Sequence, residues 1–314
     1  MSQKIVADLH NHSTASDGEL SPSEVVKQAA EKGLEAVALT DHDTITGLDE
    51  ALQAGLELGI KVIPGVELTL RFRRPSFVGS LHLLLYFQPK QLKNREFLQT
   101  IQTLFAAGRG SALVRDRVES INQFFGPDSP SPLLKRPLMV AEIEACGNNI
   151  TRRHFAKVLG ENHHLKRHQV DDIVANRSPA YLPSGIDPNQ VLPLRKNFSM
   201  LAFLAHPAAG SFPPPSHYRE VLPPWPIVAE LLPEFMTLTP IAIDGLEIEY
   251  PGHRDEEKKI LRELATSHKL LVSGGSDGHD LKERPYGVTG INREDFSRFM
   301  ARYEELNVDL DTRP

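Results

Sequence analysis

The sequence predicts an α/β protein, a parallel sheet or barrel interrupted by a block of helices. Three observations carry this. Short apolar runs alternate with amphipathic helical stretches through the first part of the chain, and each run ends in His, Asp or Glu. The alternation stops between about Asn94 and Arg195 and resumes at Met200. Alternation of this kind implies right-handed crossovers between parallel strands, and in barrels the chemistry gathers at the C-terminal strand ends.

The first run, Ala7-Asp8-Leu9-His10-Asn11-His12-Ser13, is a strand entering a polar turn through Asp17-Gly18. Alternate strand side chains share a face, so His10 and His12 point the same way, as metal ligands or as two ordinary histidines. Ser21-Pro22-Ser23-Glu24 reads as a capped helix start, Val25, Val26, Ala29 and Ala30 as its apolar face, and Gly33 as its stop. Ala36-Val37-Ala38-Leu39 is apolar throughout, as expected of a strand covered on both faces, and it ends in Thr40-Asp41-His42-Asp43. A helix over 46–58, stopped by Gly59, leads to the strand Lys61–Glu67. Arg71-Phe72-Arg73-Arg74-Pro75 reads as a solvated loop or an anion-binding mouth. The strand from Ser80 to Phe87 then carries His82.

Residues 95–124 and 138–175 read as helical, separated by the turn-rich 126–132. This places a helical insertion over 95–195 within a barrel of 1–94 and 196–314. Thr151-Arg152-Arg153-His154 starts one of its helices, while His163, His164 and His168 read as an exposed charged face. The barrel resumes with Met200–Ala205, ending in His206-Pro207. A Pro-rich irregular loop over 212–226 follows, then the strand 241–250 running into Pro251-Gly252-His253. A helix over 256–266 precedes the last strand, which ends in Ser276-Asp277-Gly278-His279.

Composition excludes several function classes. The 314 residues are 40% hydrophobic and 24% charged, as in ordinary globular proteins. With 41 acidic against 35 basic residues, the formal net charge of -6 argues against a nucleic-acid coat or an extended-duplex binder. No apolar run approaches membrane-spanning length and the N-terminus lacks a signal-peptide core, so a cytoplasmic location is expected. Cys146 is the only cysteine. Any metal is therefore held by His, Asp and Glu, ligands suited to Mn, Fe or Zn.

Taken together, His10, His12, Asp17, His42, Glu67, His82, His154, His206, Asp277 and His279, most of which close or closely follow an apolar strand, are too many imidazoles and carboxylates to explain by packing. They also exceed the three or four protein ligands of a single catalytic metal. Two or three divalent ions are expected.

With these residues in place, the chain resembles the PHP (polymerase and histidinol phosphatase) phosphoesterases. The motifs are DLHNHS (8–13), SDG (16–18), LTDHD (39–43), GVE (65–67), the His82 strand, TRRH (151–154), AHP (205–207), GLEIEYPGH (245–253) and GSDGH (275–279). The resemblance implies a distorted (β/α)7 TIM-like barrel with a helical insertion and a trinuclear metal site. It is strongest to the branch that removes the 3′-phosphate of nucleoside 3′,5′-bisphosphates and trims short RNAs from the 5′ end. On this resemblance His10, His12, Glu67 and Asp277 are ligands of a first metal. Glu67 bridges to a second held by His82 and His154, and Asp17, His42 and His279 hold a third. Arg152 and His206 are expected to contact phosphate, with His206 alternatively a ligand or proton donor. His253 is expected at the rim, and Asp41 and Asp43 as orienting groups or turn residues.

The implied chemistry is metal-assisted hydrolysis of a phosphate monoester on a small phosphorylated substrate, a nucleotide or short oligonucleotide. Arg73 and its neighbours offer a place for a second phosphate, and Phe72, Phe77 or Trp225 a stacking face for a base. The competing readings are a histidinol-phosphatase-like enzyme for a small metabolite and a non-catalytic PHP module for binding or regulation. The latter predicts missing ligands, and none of the nine is missing.

Overall fold

The computed structural model describes residues 4–146, 150, 152–175, 177–211, 222–236 and 241–307, apart from the side chains of Arg152 and Arg153. The chain divides into two compact units, one of residues 1–70, 81–102 and 187–314, the other of 71–80 and 103–186. These differ from the expected boundaries at 94/95 and 195/196. The first turns of the helix at Arg95 pack on the first unit, where Phe97 meets Phe87 at 4.9 Å and Phe198 at 5.3 Å between ring centroids. Arg195 likewise stays with that unit, donating to the carbonyl of Ile241 and to Asp244.

The first unit is built on a seven-stranded sheet in sequential order. Its strands are β1 (Ala7–Asp8), β2 (Ala36–Leu39), β3 (Lys61–Arg74), β4 (Phe77–Tyr86), β5 (Leu201–Leu204), β6 (Gly245–Glu249) and β7 (Leu271–Gly274). The pairs β1–β2, β2–β3, β5–β6 and β6–β7 are parallel. Past the strand ends, Leu9 N–H donates to Gly274 (3.0 Å) and Asp277 N–H to His10 (2.8 Å), bringing the seventh strand beside the first in a nearly closed barrel.

The expectation of a wholly parallel sheet is corrected at β4. Residues 71–74 are strand, not loop, and only Pro75 and Ser76 separate β3 from β4. A two-residue connection cannot support a parallel crossover, so β4 runs back and pairs antiparallel with β5, Leu83 facing Leu204. The all-buried β2 and β5 fit strands covered on both faces.

Helix α1 (Pro22–Glu31) starts on the expected capping box, in which Ser21 Oγ accepts Glu24 N–H (3.3 Å) and the Glu24 carboxylate accepts Ser21 N–H (2.8 Å). Gly59, at φ 69°, stops α2 (Leu48–Leu58). The remaining helices are α3 (Arg95–Gly108), α4 (Gly110–Phe125), α5 (Val140–Glu144), α6 (Arg152–Glu161), α7 (Arg167–Val174), α8 (Leu192–Asn197), α9 (Trp225–Met236), α10 (Asp255–Ser267) and α11 (Arg293–Glu305). The helical stretch expected over 95–124 is two helices, broken by extended Arg109 and left-handed Gly110. Trp225 and Pro226, expected in an irregular loop, begin α9; residues 212–221, including His217, lie outside the described residues. Helix α11 escaped the sequence reading. Its Phe299 is fully buried and stands edge-on to Tyr86 (5.2 Å), closing the barrel core around Phe203 and Ala38.

The second unit packs α4–α7 around Val114, Ile121, Ile143, Phe155 and Leu159. Within it Arg71 pairs with Asp116 (3.0 Å), and Arg73 lies over the Phe124 ring (5.7 Å) and donates to the Pro179 carbonyl. Phe72 is buried, which removes it as a stacking surface for a base. His163 is also buried, against Glu142 (3.4 Å), rather than on an exposed face.

Candidate metal centre

The strand ends of the first unit deliver their histidines to one carboxylate. Glu67, on β3, is fully buried. Its Oε2 lies 3.1 Å from each of His10 Nε2, His12 Nε2 and His42 Nδ1. Its Oε1 lies 2.9 Å from His82 Nδ1 and 3.0 Å from His206 Nε2. Asp277 Oδ1 faces His12 Nε2 (3.1 Å) and His10 Nε2 (3.4 Å). Asp17, the exposed member, reaches His279 Nε2 at 3.4 Å and His12 Nδ1 at 3.7 Å.

Three ligand sets follow, each with its donor atoms within 4.8 Å of one another: His10, His12, Glu67 and Asp277; His42, Glu67 and His82; His12, Asp17, His42 and His279. His12 and His42 are each shared between two sets, which the sequence did not indicate. His154 lies on α6 in the second unit, and the Arg152 side chain lies outside the described residues.

The residues fit divalent cations. His12 Nδ1, His42 Nδ1, His279 Nε2 and Glu67 Oε2 are buried without a hydrogen-bond partner among the described residues. His10 Nε2 and His12 Nε2 face each other at 3.2 Å. Buried polar atoms in this state are costly unless something joins them, and imidazole with carboxylate is the donor set of Mn, Fe and Zn.

The charges are interlocked. Burial alone would push the Glu67 carboxyl up, but His10, His42 and His82 hold it well below the usual carboxylate range. Burial opposes charge on His10 too, yet Glu247, Glu67 and Asp277 raise it well above an ordinary histidine. The same contest, between burial and the nearby carboxylates of Asp277 and Glu67, raises His12 to about 9. His42 is driven well below the ordinary value by burial, reinforced by the like charges of His12 and His82.

The sequence reading missed several groups that hold this set. Glu247, fully buried on β6, faces His10 Nδ1 at 3.0 Å. Tyr250 Oη and an Arg284 guanidinium nitrogen both donate to Asp277 Oδ2, at 3.2 and 3.1 Å, leaving Oδ1 for the histidines. Asp8 accepts N–H bonds from Ser276 and Gly287, both 2.9 Å, with burial raising its carboxyl to about 6. A charged residue at an inward strand position was the available signal for Glu247 and Asp8.

Asp41 accepts from Ser13 N–H and Oγ (both 2.7 Å) and Ser16 Oγ (2.6 Å), and Asp43 from Thr69 N–H and Oγ1 (both 2.8 Å). Both lock loops. His253, expected at the rim, is buried. Its Nδ1 donates to the Ile248 carbonyl (3.0 Å) and its Nε2 accepts Ala208 N–H (3.1 Å). Burial holds it down at about 4, a neutral brace between strand ends.

Gly275 shows how tightly the first histidine is seated. A Cβ there would stand 2.4 Å from both the N and Cβ of His10. Gly275→Ala is expected to destabilise the protein by about 1–3 kcal/mol through overpacking and to lower its metal content. A wild-type urea midpoint with wild-type metal content would refute this.

Comparison with known proteins places this geometry. A family model described as the PHP domain matches residues 8–127. The chain is 28% identical over 282 residues to a 5′-3′ exoribonuclease of Haemophilus influenzae, covering 87% of this chain and 89% of the relative. It is 26% identical over 287 residues to a phosphoribosyl 1,2-cyclic phosphate 1,2-diphosphodiesterase of Eggerthella lenta, covering 88% and 94%. A shorter match, 46% over 67 residues, covers 21% of this chain and 24% of a 3′,5′-nucleoside bisphosphate phosphatase of Chromobacterium violaceum. Among solved structures, a chain from Bifidobacterium adolescentis inferred to be a metal-dependent phosphoesterase superposes with TM-score 0.58 at 28% identity, covering 94% of this chain and 96% of that one. No helix among the described residues is long and apolar enough to cross a membrane. The barrel with its strand-end histidines, the PHP-domain match over residues 8–127 and the near-full-length relatives agree: this chain carries a PHP-domain match and is similar along most of its length to metal-dependent phosphoesterases.

Proposed function

We propose that the protein removes the 3′-phosphate of nucleoside 3′,5′-bisphosphates and trims short RNA from its 5′ end, using two or three divalent ions of Mn, Fe or Zn in the cytoplasm. The observation that carries the polynuclear reading is the convergence of three overlapping ligand sets, two of them on the buried Glu67. The nucleotide substrate is supported by the exoribonuclease and bisphosphate phosphatase relatives.

Bound ions of this kind supply Lewis-acid stabilisation of phosphate oxygens and lower the pKa of water. The chain's own part is to hold and orient. His10, His12, Glu67 and Asp277 form one ligand set. His42, Glu67 and His82 form a second, joined by His154 on the strength of its TRRH motif. His12, Asp17, His42 and His279 form the third. His206 is assigned to the ligands rather than to proton donation, because its Nε2 already faces Glu67 Oε1 at 3.0 Å. Arg152 remains the proposed phosphate contact on its motif alone. Arg73 remains a proposed second-phosphate contact, although it already engages Phe124 and Pro179. The substrate is a small nucleotide or oligonucleotide rather than an extended duplex, consistent with the net charge of -6.

A second reading, hydrolysis of a cyclic phosphodiester, is favoured by the Eggerthella lenta relative, which aligns over 88% of this chain. Product analysis by chromatography, resolving inorganic phosphate, released mononucleotide and ring-opened monoester, separates the readings for the metal-loaded protein. The panel is adenosine 3′,5′-bisphosphate, a short 5′-phosphorylated RNA, a ribose 1,2-cyclic phosphate and histidinol phosphate. Turnover of the bisphosphate and RNA is expected at a kcat/KM at least about tenfold above the other two. Preference for the cyclic ester, or for histidinol phosphate, would replace the proposal.

A further inference from the structure

Glu247 belongs to none of the three ligand sets, yet it is fully buried on β6 beside them. Its two oxygens serve two histidines. The carboxylate faces His10 Nδ1, with Oε1 at 3.0 Å and Oε2 at 3.2 Å, and Oε2 also accepts the backbone N–H of His206 at 2.8 Å. The His10 and His206 rings stack at 5.8 Å between centroids, 16° apart, and both present Nε2 to Glu67.

Each contact has a physical consequence. A carboxylate at Nδ1 holds the proton there, which makes Nε2, facing Glu67, Asp277 and His12, the nitrogen that gives up its proton to offer a lone pair when a metal binds. The bond to His206 N–H holds a non-glycine residue at φ 29°, a sparsely populated backbone region. That backbone setting turns the ring from the end of β5 toward Glu67 Oε1. No other carboxylate lies within 3.5 Å of His10 Nδ1 in the described ion pairs.

We infer that Glu247 is the positioning residue of the centre, one carboxylate that fixes both the tautomer of His10 and the strained backbone of His206, so that the two imidazoles flank Glu67 in ligand-ready orientation. This rests on the metal reading above. Carboxylates behind metal-bound histidines raise their basicity, and removing such a partner typically weakens metal affinity about 10–100-fold. Glu247→Gln retains the shape but has only one acceptor oxygen for two N–H groups.

The test measures Mn²⁺ and Zn²⁺ affinity of the full chain by competition with a chromophoric chelator, together with thermal melting of the metal-free protein. Glu247→Gln is expected to bind the tightest ion about 10–100-fold more weakly while still melting cooperatively. In a His10→Ala background the same change should cost several-fold less than in the wild type, because only its bond to the His206 N–H remains. A residue with a merely structural role would multiply its cost in both backgrounds, and that result overturns the inference. So does wild-type affinity in Glu247→Gln. If Glu247→Gln does not fold, Glu247→Asp retains the charge on a shorter stem; about tenfold weaker binding is expected of it, and unchanged binding refutes the assignment. A wild-type protein that binds neither ion overturns the metal reading itself along with this inference.

Discussion

Glu67→Gln is expected to lower kcat/KM by at least about 10³-fold, equivalent to about 4 kcal/mol of lost transition-state stabilisation. The substitution leaves volume and burial unchanged and removes only charge. In the wild type one carboxylate faces five imidazole nitrogens at 2.9–3.1 Å. Among them His10, His42 and His82 hold its carboxyl well below the usual range, so it is an anion throughout the neutral region. A neutral amide cannot join two cations, and its NH₂ would point a donor at nitrogens that must themselves offer lone pairs. Metal analysis of the variant should show fewer ions per chain, and circular dichroism should show the barrel retained. Activity within tenfold of wild type would remove Glu67 from the centre of the chemistry and leave it a buried structural acid.

Metal uptake is expected to release protons, on the order of two per chain near pH 7.5. Metal ligation needs neutral imidazole, whereas in the metal-free protein His10 stands well above the ordinary value and His12 at about 9. The sign follows. For His12 the folded value exceeds the ordinary 6.5, so the charged ring stabilises the metal-free fold fully below pH 6.5, on the order of 3 kcal/mol, and this is lost as pH rises through about 9. Over the same window proton competition for the site falls and metal binding tightens. Chelator-treated protein should therefore lose melting temperature between pH 6.5 and 9 while metal-loaded protein gains over it. Calorimetric titration of Mn²⁺ in two buffers of different ionisation enthalpy counts the protons. A count near zero would mean that His10 and His12 do not meet the ion.

The convergence of the strand-end histidines was legible because strand geometry fixes place. His10, His12, His42, Glu67, Asp277 and His279 each follow a short buried run, and such runs announce themselves as Ala36–Leu39 and Leu201–Leu204 do. The capping box at Ser21 and the stop at Gly59 were equally local and equally plain. Helix α11 was missed although Asn292 caps it by accepting Asp295 N–H. Its apolar positions, Phe296, Phe299 and Tyr303, sit among many charges, and only the barrel floor explains their burial.

The sequence by itself determined an α/β scaffold and a set of histidines and carboxylates brought to one end of a sheet. Each depends on neighbours a few residues apart, through strand periodicity, caps and turn residues. Tertiary structure alone decided the rest. The reversal of β4 follows from β3 continuing to Arg74 before a two-residue turn, and His253 became a brace because strand ends closed around both its nitrogens. Glu247 meets His10 across 237 residues, and no local pattern encodes a bond over that separation. A ligand's identity is written in its own side chain, whereas its orientation is set by whatever the fold places behind it.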